Sequence, residues 1–189
     1  MSLGAYGKFS VPPVPASVVK HIENGYSSPV HYPFLLMSRV IEILVASSPS
    51  SPMENRESVR AMPGSGLEGD RYFNGVGTFS PTPHKPDYEV TLIQKEHIES
   101  FQAAFALPFT SKHARRNLVS EGVDLNLLVG KDFNVGSVRL RGIRLCEPCN
   151  YLARSTFPAV LQGLVHKCGL RAQILSEGVI RVGDPLTAD

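Results

Sequence analysis

The chain has 189 residues, 42% of them hydrophobic, which suits one compact domain with a core of its own. Nineteen Lys plus Arg against seventeen Asp plus Glu leave a formal charge of +2, too little for wholesale nucleic-acid binding, so any anion site must be local. Three cysteines, an odd number, with no bilayer-length apolar run and no basic-then-apolar leader, point to a reducing cytoplasmic setting and away from a membrane or a disulfide scaffold.

Sixteen Gly, fifteen Pro and no Trp suit a turn-rich protein of short strands with few helices. Residues 1–38 read as an N-terminal extension, with a proline cluster at Val11–Pro15, a weak helical candidate over Ser17–Asn24 and Met1-Ser2-Leu3 as a possible cloning leader. The domain proper is expected over 39–189. The β-branched run Val40–Val45 is its first strand, followed by a Ser- and Pro-rich loop over Ser47–Pro52. Tyr88–Ile93 is a second strand, after which Ile98, Phe101 and Phe105 recur at helical spacing until Pro108. Val138 and Leu140 alternate with Arg139 and Arg141, but the apolar positions resume one residue out of phase at Ile143 and Leu145, which predicts a β-bulge at Gly142. Arg139, Arg141 and Arg144 then read as ordinary solvent-facing strand residues. A helix should start near Pro158, bury Val160, Leu161, Leu164 and Val165, and end at Gly169. Ala172–Leu175 and Val179–Val182 should form a hairpin around Ser176-Glu177-Gly178.

Strands outnumber helices and do not alternate with them, which disfavours a doubly wound sheet. A mainly β, α+β architecture, a mixed sheet curling into a barrel with peripheral helices, fits better. Chemistry would then sit where loops converge at one end of the barrel. Three segments qualify.

Gly66-Leu67-Glu68-Gly69-Asp70-Arg71 is a tight turn that projects an Asp–Arg pair, either an anion clamp or a surface turn with a local ion pair. It is no nucleotide-triphosphate loop, since no Gly-Lys-Ser or Gly-Lys-Thr occurs. Lys112, His113, Arg115 and Arg116 crowd before Asn117-Leu118-Val119. Arg115 beside the Asn117 amide could clamp a phosphate or a pterin, or the cluster could be a solvated basic face. The third segment, Cys146-Glu147-Pro148-Cys149, leaves four readings open: a redox disulfide, a zinc site with Cys168 and His166, inert buried thiols, or a single thiolate that binds a soft metal or carries sulfur.

Taken in order, Gly66–Tyr72, Val90–Ile93, Arg115–Val119, Leu125–Gly130, Cys146–Cys149 and Gly178–Asp184 resemble the motifs of stand-alone MOSC domains, named for the C-terminal domain of molybdenum cofactor sulfurase. The resemblance runs from about Arg39 to Leu186. It implies a MOSC-type mixed β-barrel that binds molybdenum cofactor (molybdopterin) or receives sulfur destined for it. From the amidoxime-reducing relatives it implies that Cys149, the second cysteine of its segment, ligates the metal and is the catalytic residue. Arg71, Arg115 and Asn117 would contact the pterin, and Cys146 would be structural. This chain has Ala46-Ser47-Ser48 where those relatives place a Lys-Ser pair, so one cationic contact is missing. The implied activity is reduction of a small N-hydroxylated substrate with electrons from a separate flavin or iron–sulfur donor. The alternative is a non-redox sulfur carrier or cofactor-delivery module with a persulfide on Cys149, served by a cysteine desulfurase, as in sulfurase proteins, which also associate the domain with pyridoxal phosphate binding.

Overall fold

The computed structural model describes residues 38–188; the expectations for residues 1–37 lie outside them. The Val40–Val45 run forms β1 (Arg39–Val45), whose Val40, Ile43 and Val45 enter one core while Leu44 enters another. The alternation natural to a strand thus feeds two hydrophobic layers. Two short strands, β2 (Glu54–Arg56) and β3 (Ser58–Met62), lead to β4 (Gly66–Leu67). Next come β5 (Val90–Gln94), helix α1 (Lys95–Phe105), the short helix α2 (Ser111–Ala114) and β6 (Leu118–Glu121). Then follow β7 (Asp132–Val135), β8 (Val138–Leu145), helices α3 (Asn150–Ser155) and α4 (Val160–Gly163), β9 (Leu170–Ile174), β10 (Gly178–Arg181) and β11 (Leu186–Ala188).

Eight strands form one sheet in the order β11-β7-β8-β9-β5-β6-β1-β2, in which β5 and β6 run parallel and the other pairs antiparallel. The parallel pair needs a long crossover, and α1 and α2 provide it. The sheet curls until the start of β1 meets the approach to β11, through Val40 N–H to Asp184 O at 3.0 Å, Gly183 N–H to Val40 O at 2.8 Å and Leu186 N–H to Ser38 O at 2.8 Å. Those bonds close the curl and leave no open edge there. A second sheet, β10-β3-β4, accompanies it. The barrel interior holds Leu92, Leu118, Phe133, Leu140, Leu170 and their neighbours. Between the barrel wall and the helices a second core gathers Leu44, Ile93, Phe101, Phe109, Val160 and Leu164.

The helix anticipated from Ile98, Phe101 and Phe105 is α1, and it stops at Ala106 in left-handed conformation (φ 51°) before Pro108. The bulge also lies where the phase slip put it. β8 pairs Gly142 with Ala172 and then Arg144 with Arg171, skipping Ile143.

Two expectations need correction. β9 and β10 do not form a hairpin, because β9 is paired on both sides, by β5 and β8, and β10 pairs with β3. A strand with both edges taken cannot accept its sequence neighbour. The helix near Pro158 is only the single turn α4. Val160 and Leu164 are buried, but Leu161 and Val165 are 41% and 45% exposed. The chain leaves helical geometry at Leu164 and passes through His166 at φ 57°. Gly169, at φ 115°, then lets the backbone pass so close to the Leu92 carbonyl that any Cβ would collide with it.

Candidate functional site

The three candidate segments converge. Gly66, at φ 112°, turns β4 so that a Cβ there would sit 2.9 Å from the Glu89 carbonyl, and Gly69 at φ 83° continues the turn. That puts Asp70 and Arg71 beneath the end of β1, with Arg71 N–H bonded to Ala46 O at 2.7 Å. Asp70 is 2% exposed. Its Oδ2 accepts from Ala46 N–H at 3.2 Å, Arg71 Nη1 at 3.1 Å and Asn117 Nδ2 at 3.2 Å, and its Oδ1 from Tyr72 N–H at 3.1 Å. A buried carboxylate with four donors is fully engaged. It pins the Arg71 guanidinium, which also lies 5.0 Å from the centre of the Tyr72 ring.

Asn117 holds this arrangement from behind. Its Nδ2 donates to Leu44 O at 3.2 Å as well as to Asp70, and its Oδ1 accepts from Thr91 N–H at 3.1 Å and Thr91 Oγ1 at 2.8 Å. Both ends of the amide are therefore occupied by β1, β5 and the Asp70 turn. Asn117 is not part of the cavity wall.

Arg115 caps α2 at φ 55°, a left-handed backbone for a non-glycine residue. Its Nη1 donates to Ser51 O at 3.1 Å and its Nη2 to Pro49 O at 2.9 Å, which ties it to the Ser- and Pro-rich loop. Burial, then repulsion from Arg71, holds its guanidinium below the usual arginine range. A bound anion would relieve both costs.

The thiols separate. Cys149, just before α3, is exposed, whereas Cys146 and Cys168 are buried, and all three are free. Arg116 donates from Nε to Cys168 O at 2.9 Å and from Nη2 to Cys168 Sγ at 3.0 Å. Desolvation works against the Arg116 cation, but the sulfurs of Cys146, Cys168 and Cys149 outweigh it and raise its pKa. Burial pushes the Cys168 thiol up despite Arg116, so it stays protonated near neutral pH. Among the described residues no three His, Cys, Asp or Glu side chains are grouped to hold a metal ion. The zinc set is therefore not assembled: the Nδ1 of His166 lies 2.6 Å from Glu147 Oε1 instead.

Arg71, Arg115 and Cys149 line one cavity of about 300 Å³. Its wall adds three arginines that the chain pattern did not single out as ligands: Arg116, Arg144 and Arg171. Glu147 is the one carboxylate among the lining residues. Tyr72 and Tyr88, with ring centres 5.9 Å apart, form part of the wall. Phe79, 45% exposed, meets Tyr151 edge-on at 5.7 Å on another part of it. Arg144 is thus no ordinary solvent-facing residue. The bulge at Gly142 shifts it opposite Arg171, where the turn at Pro86–Tyr88 supplies Asp87 as its partner. The out-of-phase step was visible in the sequence, but the partner it selects depends on cross-strand register.

No curated protein matches the sequence. Solved structures do. The YuaD protein from Bacillus subtilis superposes with a TM-score of 0.68 at 15% identity, over 80% of this chain and 96% of that one. YiiM from Geobacillus stearothermophilus gives 0.63 at 17% identity over 80% and 75%. YiiM from Escherichia coli gives 0.59 at 18% identity over 80% and 69%. These likenesses establish a shared fold. The sequence model of the MOSC domain matches residues 79–187, which spans Arg115, Asn117 and the cysteine pair, and the chain belongs to the MOSC domain family.

Proposed function

We propose that the cavity binds molybdenum cofactor and that the protein is a molybdenum-dependent reductase of small N-hydroxylated molecules. The observation that carries this reading is one exposed thiol, Cys149, on the wall of a cavity lined by five arginines and one carboxylate. The donor chemistry fits the group: a soft thiolate suits a thiophilic metal, guanidinium forks suit a phosphate, and the Tyr72 and Tyr88 rings suit a flat heterocycle. When bound, the cofactor would supply two-electron oxygen-atom transfer, with electrons from a separate flavin or iron–sulfur protein.

Cys149 would be the protein's single ligand to the metal. Arg71, fixed by Asp70, and Arg115, fixed by Ser51 and Pro49, would hold the anionic end. Asn117 would act through Asp70 and not by contact. The Lys-Ser pair of the amidoxime-reducing relatives has no counterpart at Ala46-Ser47-Ser48, so Arg71 and Arg115 would carry the anionic end without it. A Schiff base to pyridoxal phosphate would need an amine, and no lysine lines the cavity. No helix of the described residues is long and apolar enough to cross a membrane.

Expression in a host that makes the cofactor, followed by elemental analysis and pterin fluorescence, tests the reading. Near-stoichiometric molybdenum that Cys149→Ser loses is expected. Full molybdenum and full N-hydroxy reductase activity in Cys149→Ser would overturn the ligand assignment. The exposure of Cys149 also favours a second reading, a sulfur carrier with a persulfide on that thiol. Incubation with a cysteine desulfurase should then add one sulfur to Cys149 in the mass spectrum, and a free thiol that gains none excludes it.

A further inference from the structure

Part of the cavity wall is an arginine pair that neither the ion pairs of the fold nor the proposed cofactor contacts satisfy. Arg144 of β8 and Arg171 of β9 are direct cross-strand partners, a placement in which like charges repel. Asp87 contacts both residues, Arg144 through its carboxylate and Arg171 through its main chain. Asp87, 8% exposed, takes Arg144 on its Oδ2, from Nε at 2.8 Å and Nη2 at 2.7 Å. Its main-chain oxygen takes Arg171 Nη1 at 3.2 Å. The carboxylate therefore neutralises Arg144, while Arg171 meets a neutral carbonyl there and not the charge.

Arg171 is held in place as well as under-neutralised. Its guanidinium sits 4.6 Å from the centre of the Tyr88 ring, a cation–π contact that fixes its plane. Yet its Nε is buried and has no hydrogen-bond partner. An orphaned charged donor is costly, and the residue that carries it lines the cavity wall. Arg144, by contrast, is half-exposed, with only its Nε–Nη2 edge taken by Asp87. Both residues line the same cavity as Cys149.

We propose that Arg144 and Arg171, backed by Asp87 and Tyr88, form a second anion subsite, separate from Arg71 and Arg115, that takes the carboxylate or phosphate of the small molecule on which the site acts. The assignment to the substrate rests on the reductase reading; the subsite itself does not. Planar anions suit it, because Tyr88 and Tyr72 supply ring faces beside the two forks. In the reductase the preferred substrates would thus be aromatic N-hydroxylated molecules that carry a carboxylate or phosphate, with neutral analogues disfavoured.

Calorimetric titration of the protein with benzoate and with inorganic phosphate, with and without cofactor loaded, tests this. The same titrations followed by NMR of the ¹⁵N-labelled arginine Nε–H groups read the subsite directly. Saturable benzoate binding that shifts the Arg171 Nε–H signal is expected, weakened at least tenfold in Arg144→Gln and in Arg171→Gln and less than twofold in Arg115→Gln. Should Arg171→Gln fail to fold, half-exposed Arg144 carries the test alone. Unaltered binding in Arg144→Gln, or equal loss in Arg115→Gln, would overturn the subsite. Loss of benzoate binding once cofactor is loaded would overturn its assignment to the substrate, since the cofactor's own phosphate would then be the anion. Retained binding in loaded protein, with a KM for a carboxylate-bearing N-hydroxy substrate that Arg144→Gln raises at least tenfold while that for its neutral analogue holds, supports it. A protein that binds benzoate here but never takes up molybdenum refutes the cofactor reading alone.

Discussion

Asp70 is the hinge of the site's electrostatics, because its carboxylate gathers the end of β1, the amide of Asn117 and the guanidinium of Arg71. Asp70→Ala strands a buried cation and three donors, and removal of one partner from a buried pair costs about 3–5 kcal/mol. Urea unfolding should register that loss. It should also find Asn117→Ala and Asp70→Ala less than additive, since they cut the same network. The thiols offer a second reading at this level. With Cys149 exposed, Cys146 and Cys168 buried, and Cys168 protonated by burial, a thiol reagent at pH 7.5 should modify one cysteine quickly. The other two should react only on unfolding. Fast modification of two, with the second mapped to Cys168, would mean that the Arg116–Cys168 contact opens in solution, whereas mapping to Cys146 would mean reagent access through the cavity. Glu89 supplies a third. Burial raises its carboxyl pKa, against weaker opposing bonds from Ile174 N–H, His84 and Gly64 N–H. Between the unfolded value and the raised folded one the native state holds more protons, so stability falls as pH rises through that window. Glu89→Gln should flatten this decline in a series of unfolding curves from pH 4 upward, and an unchanged slope would assign it elsewhere.

The crossover from β5 to β6 supplies the fully buried aromatic rings of the second core, Phe101 and Phe109. Phe101, 1% exposed, stacks on Phe105 at 4.8 Å and tilts against Phe109 at 4.9 Å. Phe101→Ala should cost about 3–5 kcal/mol in chemical denaturation. Because α1 and α2 lead straight into Arg115 and Asn117, the same variant should weaken ligand binding in the cavity without touching it. This crossover was legible in the sequence, since the spacing of Ile98, Phe101 and Phe105 and the stop at Pro108 are local signals. So were the bulge at Gly142 and the turn that projects Asp70 and Arg71. The pairing of β10 with β3, the short α4 and the inward role of Arg144 were not. The pairing and the place of Arg144 depend on cross-strand register and occupied edges, and α4 ends where the chain turns through His166 to bring Gly169 against Leu92; no local pattern encodes these long-range facts. The site followed the same rule. Cys149 and Arg71 stood out through residue type and neighbours, whereas Arg171, an unremarked strand residue between Leu170 and Ala172, becomes a wall of the cavity only through its register with Arg144.

Over the whole molecule the formal charge is only +2, yet five of its nineteen basic side chains line one cavity beside a single lining carboxylate. Acidic residues elsewhere keep the balance: Glu121 and Asp132 lie in surface ion pairs with Arg39 and Arg141, which hold both carboxyls below their usual range. Such exposed pairs add little stability. Their consequence is spatial: carboxylates engaged away from the cavity leave a local excess of positive charge among its five arginines, of which Arg71 and Arg144 are paired with Asp70 and Asp87. A field of that form should steer a multiply charged anion toward the site and act on encounter more than on escape. The screening length is about 10 Å at 0.1 M salt and about 3 Å at 1 M. Stopped-flow binding of a fluorescent pterin monophosphate should therefore show an association rate that falls roughly tenfold between 0.02 and 0.5 M salt, with a dissociation rate nearly constant. Arg144→Gln should reduce that slope, because it removes one of the five charges and is the most exposed of those held by a carboxylate. A flat association rate would mean that the arginines are already neutralised in solution, and the cavity would then recognise its ligand by shape and hydrogen bonds rather than by charge.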